Sequence, residues 1–148
     1  LNTDGAVHAT NGAVDIASAA VRRSGSDISL ITYGTGVMKC LAAANELAAD
    51  GIDAEVVDLR VLRPLDQASI LESVIRTHRA LVVEDAWRSL GVGAEVSARI
   101  MEHAFADLAA PVQRVAGVEV PIPYPKHLED AAVPQVAGIV AAARKVMS

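Results

Sequence analysis

Short apolar runs alternate with amphipathic stretches along most of this chain. The runs Ile28–Tyr33, Ala54–Leu59, Ala80–Val83 and Val112–Val120 have the composition of strands, and Ala80–Val83 is apolar throughout. Short continuous runs of this kind are typical of strands that are buried on both faces. A weaker run at 19–23 predicts a further strand at an edge, because alanine is a poor strand former.

Between these runs the apolar positions recur at helical spacing. Gly51 follows the first such stretch as a C-cap, and Asp66 precedes the second as an N-cap. A third helix is bounded by glycine, and Pro134 suits the first turn of a last helix. Residues 121–134 contain four prolines and are predicted as an extended loop. The helical stripes comprise Val37, Leu41, Ala44 and Ala48, then Ile70, Leu71, Val74 and Ile75, then Val96, Ile100, Phe105 and Leu108, and finally Val136, Ile139, Val140, Ala143 and Val146.

The alternation of strand and helix predicts an α/β protein with a mostly parallel sheet and helices on both faces. Residues 1–15 show no period and are predicted to be a linker or a remnant of cloning, which leaves one domain at 16–148. No apolar run approaches the roughly 18 residues of a membrane span. The chain starts at Leu1 without a signal-peptide pattern, so we expect it to be cut from a longer protein.

The amino-acid composition excludes several classes of function for this chain. Hydrophobic residues make up 52% of the 148 residues, which excludes wholesale disorder. A net charge of −5 and only 3% aromatic residues argue against a nucleic-acid partner. The single cysteine, Cys40, excludes an internal disulfide framework and falls on or near an apolar stripe, where we expect a small core residue.

Three loops should meet at the carboxyl edge of the sheet, where α/β proteins bind ligands. They span 34–36, 58–66 and 84–95. The first is not a dinucleotide fingerprint, since Lys39 takes the place of the third glycine. The histidines have no metal-ligand spacing, and no G-x-S-x-G elbow occurs. We therefore predict no catalytic, cofactor-binding or metal-binding residue. The histidines are His8, His78, His103 and His127.

The last two loops suggest an interface instead. Glu84, Asp85 and Glu95 surround Trp87, and acid–base chemistry is conceivable there. A tryptophan in a loop is more typical of an interface anchor, and acids after a strand commonly cap the next helix or meet an arginine. Arg60 and Arg63 flank an apolar turn and could bind anions or donate hydrogen bonds across an interface.

Four segments together resemble the C-terminal domain of the transketolase family, in particular the β subunits of thiamine-diphosphate-dependent 2-oxo acid dehydrogenases of the pyruvate or acetoin type. They are ISLITYGTGV, AEVVDLRVLRPLD, ALVVEDAWRSLGVGAEVSARI and PVQRVAGVEVPIPYPKHLEDAAVPQV, and the match covers about residues 16–147. The D-L-R-x-L-R-P-L-D segment at 58–66 and the E-D-x-W…G-V-G-A-E segment at 84–95 are specific in combination. One departure is Ala17-Ser18-Ala19, where the family often has Gly-Lys-Ala.

The resemblance implies a three-layer α/β/α domain whose five-stranded mixed sheet has an antiparallel first strand at about 19–23. It also implies an enzyme that decarboxylates a 2-oxo acid on thiamine diphosphate and Mg²⁺ and passes the acyl group to a lipoyl group. The family's G-D-G…N motif and its catalytic glutamate and histidines do not occur in these 148 residues. We therefore expect that this fragment alone binds no cofactor and is inactive.

The resemblance further implies a role in assembly, with a second β subunit, an α subunit and the subunit-binding domain of a dihydrolipoyl acyltransferase as partners. We expect a homodimer of the isolated domain and a cytoplasmic location. Docking of the acyltransferase is assigned to the chain end, at Lys145, Met147 and the terminal Ser148. Subunit packing is assigned to Arg60, Arg63, Glu84, Trp87, Gly91, Gly93 and Glu95.

Two alternatives stay open. One is the C-terminal domain of a transketolase or a deoxyxylulose-phosphate synthase with a regulatory or phosphate-binding pocket. The tail PIPYPKHLEDAAVPQV favours the dehydrogenase β subunit over it. The other is a free-standing flavodoxin-like binding module, which the start at Leu1 and the stretch before residue 16 oppose.

Overall fold

A five-stranded mixed sheet forms the centre of the computed structural model, which describes residues 17–148. The strand order is β1-β3-β2-β4-β5. β1 runs antiparallel to β3, and the other neighbours are parallel. The predicted fold class and the antiparallel edge strand are both confirmed. The strands are β1 (Ala20–Arg23), β2 (Ile28–Thr32), β3 (Ala54–Asp58), β4 (Ala80–Trp87) and β5 (Gln113–Gly117).

Helices cover both faces of this sheet, because successive strand residues point to opposite sides. Leu30 contributes to the core beneath α1 and α5, and the adjacent Ile31 to the core beneath α2 and α3. Both are fully buried. The central strands β2 and β3 are therefore buried along their whole length. The helices are α1 (Gly36–Ala49), α2 (Gln67–Thr77), α3 (Val92–Ala104), α4 (Lys126–Ala132) and α5 (Val136–Met147).

Of three helix ends with a local signal, one lies as predicted and two are shifted. Asp66 caps α2, where its carboxylate accepts a hydrogen bond from the Ser69 amide at 3.1 Å. Gly51 has a φ of +79°, which suits glycine, although the C-cap of α1 is Asp50. Pro134 lies before the N-cap Gln135 and not within the first turn of α5.

Four further predictions are wrong in detail. β4 extends to Trp87, because a bulge after Glu84 lets Trp87 pair with Gly117. The predicted loop at 121–134 contains α4, which starts after the last of its closely spaced prolines, Pro125, and is supported by an ion pair between Lys126 and Asp130.

The third error concerns Phe105, which is 67% exposed and not part of the apolar stripe of α3. α3 ends at Ala104, and a 3₁₀ turn at Phe105–Asp107 changes the residue spacing. β5 also ends at Gly117, before the predicted Val120. The predicted linker at 1–15, which includes His8, lies outside the described residues. Among residues 17–148, no helix is long and apolar enough to span a membrane.

Candidate functional site

The carboxyl ends of the parallel strands lie at one edge of the sheet, as predicted. Glu84 in β4 lies at this edge, but its side chain is fully buried. Its Oε1 accepts a hydrogen bond from Arg114 Nη2 at 2.8 Å, and its Oε2 accepts one from the Gly93 amide at 2.9 Å. Glu84 therefore stabilises the start of α3 from within the protein, in line with the expectation that acids after a strand cap a helix.

Two predicted glycines make room for this carboxylate. A Cβ at Gly93 would lie 2.4 Å from Glu84 Oε1, and one at Gly91 would lie 2.7 Å from Oε2. These distances are too short for any side chain, so glycine is required at both positions for as long as Glu84 is buried here. Glu84, Gly91 and Gly93 therefore stabilise this edge of the sheet from the interior of the protein.

Arg114 was missed in the sequence, where an arginine in a half-buried strand carries no special signal. Besides Glu84, its Nη2 donates to the Arg88 carbonyl at 2.7 Å, and Arg88 Nη1 donates to the Arg114 carbonyl at 2.8 Å. Arg114 thus joins β5 to the end of β4.

The remaining carboxylates at this edge are paired as well. Asp85 accepts hydrogen bonds from Thr35 Oγ1 and from Lys39 Nζ, the latter at 3.4 Å. Glu95 is exposed and pairs with Arg99 Nε at 2.7 Å. Burial and the charges of Glu84 and Asp85, together with a hydrogen bond to Glu84, raise the pKa of Tyr33, so its phenol stays protonated at neutral pH.

Trp87 lies at the end of β4 and not in a loop. It is 48% exposed, and its Nε1 donates to the Val120 carbonyl at 3.0 Å. It belongs to a group of exposed apolar residues that continues past β5 into α4, which we call the β5-edge patch. A cleft of about 220 Å³ lies within this region, between Val118 and Ala132. The patch comprises Trp87, Val118, Val120, Ile122, Tyr124 and Leu128.

A larger cleft of about 610 Å³ opens beside the carboxyl ends of β2 and β3, and we call it the arginine cleft. Asp58 at the end of β3 organises it. Asp58 Oδ2 accepts from Arg22 Nε and Nη2 at 2.9 and 2.8 Å, and Oδ1 accepts from the Arg60 amide at 3.0 Å. Arg63 is exposed but does not line the cleft. The arginine cleft is lined by Arg22, Gly34, Val37, Met38, Leu41, Asp58 and Arg60.

The predicted docking residues lie at the end of α5. Lys145 and Ser148 are exposed, and Met147 is partly buried against the core beneath α1. Arg144 holds this end to α1, because its Nε and Nη2 lie 2.9 and 2.6 Å from Asp50 Oδ2. The docking residues are therefore well separated from the carboxyl-edge residues in sequence and are presented by a different helix.

The Transketolase, C-terminal domain family model matches residues 17–139. Pyruvate dehydrogenase E1 component subunit beta, mitochondrial, of Drosophila melanogaster is 51% identical over 135 residues, which is 90% of this chain and 37% of that protein. The Dictyostelium discoideum protein of the same name is 44% identical over 133 residues, again 90% and 37%. The Rhizobium meliloti subunit beta is 42% identical over 131 residues, 88% of this chain and 28% of that protein. The chain thus spans well under half the length of these relatives.

Solved structures agree with the fold. A split-gene transketolase described as an inactive β4 tetramer superposes with a TM-score of 0.80 at 26% identity, covering 97% of this chain and 45% of that one. A 2-oxoglutarate:ferredoxin oxidoreductase from Magnetococcus marinus shares the fold alone, with a TM-score of 0.61 at 14% identity over 88% of this chain and 20% of that one.

One prediction is corrected by these comparisons. A cytoplasmic location was expected, but the relatives in Drosophila melanogaster and Dictyostelium discoideum are named as mitochondrial proteins. The bovine and human relatives, at 43% and 42% identity, are also named as mitochondrial. The cytoplasmic prediction is therefore wrong.

Proposed function

The chain belongs to the transketolase C-terminal domain family, and on that basis we propose that it is the C-terminal domain of the β subunit of a pyruvate-type 2-oxo acid dehydrogenase. Identities of 42–51% to pyruvate dehydrogenase β subunits carry this proposal. They exceed the 26% identity to a transketolase, so a transketolase-like domain is the weaker candidate. The domain's role is assembly, and the chemistry belongs to other parts of the enzyme.

Exposed apolar surface supports the assembly role. The β5-edge patch contains six of the large apolar side chains that are at least 40% exposed. Exposed apolar groups that lie together mark interaction surfaces in soluble proteins. We assign the patch to contact with a second β subunit, and further contacts of the domain to the α subunit.

The predicted packing residues form two groups by burial, and Arg60 stands apart from both. Trp87, Arg63 and Glu95 are exposed and reach a partner directly. Glu84, Gly91 and Gly93 act indirectly by fixing the end of β4 and the start of α3. Arg60 is exposed as well, but it lines the arginine cleft.

The structural neighbour gives independent support for self-association. That protein is described as a β4 tetramer that is inactive. A related chain can therefore assemble with itself without performing the reaction of the full enzyme. We propose the same for this chain, with a homodimer as the basic unit.

Thiamine diphosphate and Mg²⁺ serve the full enzyme in this proposal. The G-D-G…N motif with which the family holds the diphosphate and Mg²⁺ does not occur in these 148 residues. We assign cofactor binding to other domains. Isothermal titration with thiamine diphosphate and Mg²⁺ should give no binding to this chain, and tight stoichiometric binding would contradict the assignment.

Light scattering after size exclusion tests the assembly role. We expect a dimer for the unaltered chain and a monomer for Ile122→Asp, which places a charge in the β5-edge patch. Phe105→Asp is the matched control, because Phe105 is also exposed and apolar but lies outside the patch. A strict monomer at high concentration, or equal effects of the two substitutions, would contradict the proposal.

The end of α5 is proposed to dock the subunit-binding domain of a dihydrolipoyl acyltransferase through Lys145, Met147 and the carboxylate of Ser148. A carboxylate forms a strong, charge-assisted pair with a partner arginine. In a pull-down, residues added after Ser148 and the substitution Lys145→Glu should each weaken binding. Lys126→Glu, an equally large charge change on exposed α4, should leave binding unchanged. Unchanged affinity of the extended chain would contradict this docking mode.

A further inference from the structure

We propose that the arginine cleft binds a small organic anion, a phosphate or carboxylate carried on a short apolar group. This function goes beyond subunit assembly and gives Arg60 a ligand in place of a subunit contact. The volume of about 610 Å³ lies in the range of small-molecule sites. The cleft also lies at the carboxyl ends of β2 and β3, the edge at which parallel α/β sheets bind ligands.

The two sides of the cleft differ in chemistry. Val37, Met38 and Leu41 of α1 provide an apolar wall, and Met38 is 56% exposed. Arg22 and Arg60 provide the opposite, charged side. An anionic group with an apolar extension matches both sides, whereas a bare inorganic ion would leave the apolar wall in contact with water.

Asp58 sets the charge of the cleft. Its carboxylate is 10% exposed and forms two hydrogen bonds with the Arg22 guanidinium, so Arg22 is neutralised by its partner. Within residues 17–148 the guanidinium of Arg60 forms no hydrogen bond or ion pair. Arg22, Asp58 and Arg60 together leave one positive charge, which suits a ligand of one or two negative charges.

The backbone at Arg60 is shaped for this arrangement. Its φ is +58°, a left-handed conformation that side chains other than glycine disfavour. The hydrogen bond from its amide to Asp58 Oδ1 holds it there. One buried carboxylate therefore fixes both arginines of the cleft, with Oδ2 holding the side chain of Arg22 and Oδ1 the main chain of Arg60. Unfavourable backbone conformations that are held in this way are frequent at binding sites.

Arg63 provides a matched control. It belongs to the same loop and carries the same charge, but it does not line the cleft. Arg60→Gln and Arg63→Gln thus change the net charge equally. Neither substitution removes the hydrogen bond between the Arg60 amide and Asp58, so both variants should fold.

The test is a titration of the isotope-labelled chain, followed by amide NMR shifts, with butyl phosphate, pentanoate and inorganic phosphate as probes. We expect saturable shifts at Gly34, Leu41 and Arg60 with butyl phosphate or pentanoate, at least tenfold weaker binding in Arg60→Gln, and unchanged binding in Arg63→Gln. Met38→Ser should weaken butyl phosphate more than inorganic phosphate. The stronger of the two organic probes identifies the anion.

Linear shifts without saturation for both organic probes, or equal losses in Arg60→Gln and Arg63→Gln, would overturn the proposal. Equal binding of inorganic phosphate and butyl phosphate would overturn the role of the apolar wall. The dimer that we expect in light scattering does not depend on any of these results. Failure of the anion-binding proposal is therefore distinguishable from failure of the assembly role.

Discussion

Arg114 on the edge strand β5 pairs with Glu84 on β4 inside the protein, with Nη2 2.8 Å from Oε1 and side-chain exposures of 14% and 0%. A buried charge that loses its partner destabilises a protein by about 3–5 kcal/mol, whereas an apolar replacement of both partners is often tolerated. The pair therefore couples the last strand to the carboxyl edge of the sheet.

We expect Glu84→Leu and Arg114→Met each to lower the free energy of unfolding by about 3 kcal/mol or more, because each leaves the charge of the other side chain unpaired inside the protein. The double variant should lose clearly less than the sum of the two. Urea unfolding of the four proteins measures this coupling. Additive losses would show that the two side chains act independently.

Gly93→Ala should be destabilising for a steric reason. The new Cβ would lie 2.4 Å from Glu84 Oε1, and the buried carboxylate cannot move without losing Arg114. Overpacking of this kind costs about 1–3 kcal/mol. Gly138→Ala is the control in α5, where no atom lies within 4 Å of the new Cβ, and it should gain about 0.5–1 kcal/mol. Thermal unfolding should move the two midpoints in opposite directions, and a stabilised Gly93→Ala would refute the argument.

Asp66 should contribute to stability only when ionised. Burial would raise the pKa of Asp66, but hydrogen bonds from Ser69, together with those from the amides of Ala19 and Ala68, outweigh it and lower the pKa below 3.8. Its contribution is therefore present above about pH 4 and is lost as the pH falls through the lowered value. Asp66→Ala should cost about 1 kcal/mol at pH 7, as other N-cap losses do. The difference in the free energy of unfolding between the unaltered chain and Asp66→Ala should shrink at pH 3. Urea unfolding measures it, and a difference that stays constant between pH 7 and pH 3 would contradict this prediction.

Cys40 should destabilise the fold in alkaline solution. Burial raises its pKa from 9.0 to about 12, against smaller opposing effects of Thr32 and Lys39. The buried, protonated thiol contributes fully to the free energy of unfolding below about pH 9. This contribution is lost between pH 9 and 12, because in that range the thiol ionises only in the unfolded chain. At pH 10 the loss of stability relative to pH 7 is on the order of 1 kcal/mol. Cys40→Ala removes this component, so the stability of the unaltered chain should fall more steeply with pH. Parallel pH profiles would contradict the assignment.

The sequence predicts the layers of this fold well, for a physical reason. Ile28–Thr32 and Ala54–Asp58 are buried on both faces, so most of their positions are apolar, and the polar exceptions are Ser29, Thr32, Glu55 and Asp58. Asp66 supplies a local capping signal for α2. One error occurs where a distant residue decides, since the extension of β4 depends on Gly117, and another where a local 3₁₀ turn changes the residue spacing at Phe105.

The candidate sites show the same limit. Glu84 and Gly93 can be found in the sequence because they lie in one motif. The contact between Glu84 and Arg114, in contrast, joins residues 30 positions apart. Asp58 likewise meets Arg22 from 36 positions away. Neither arginine stands out along the chain, because its role depends on the strand order and not on its neighbours in sequence.

The position of β1 at the edge of the sheet has a consequence for how the chain forms its structure. β1 precedes β2 in synthesis but pairs with β3, which is made later. The pairing of Arg22 with Asp58 therefore cannot form before β3 has been synthesised, and the arginine cleft needs residues from β1, from the end of β2 and from β3 together.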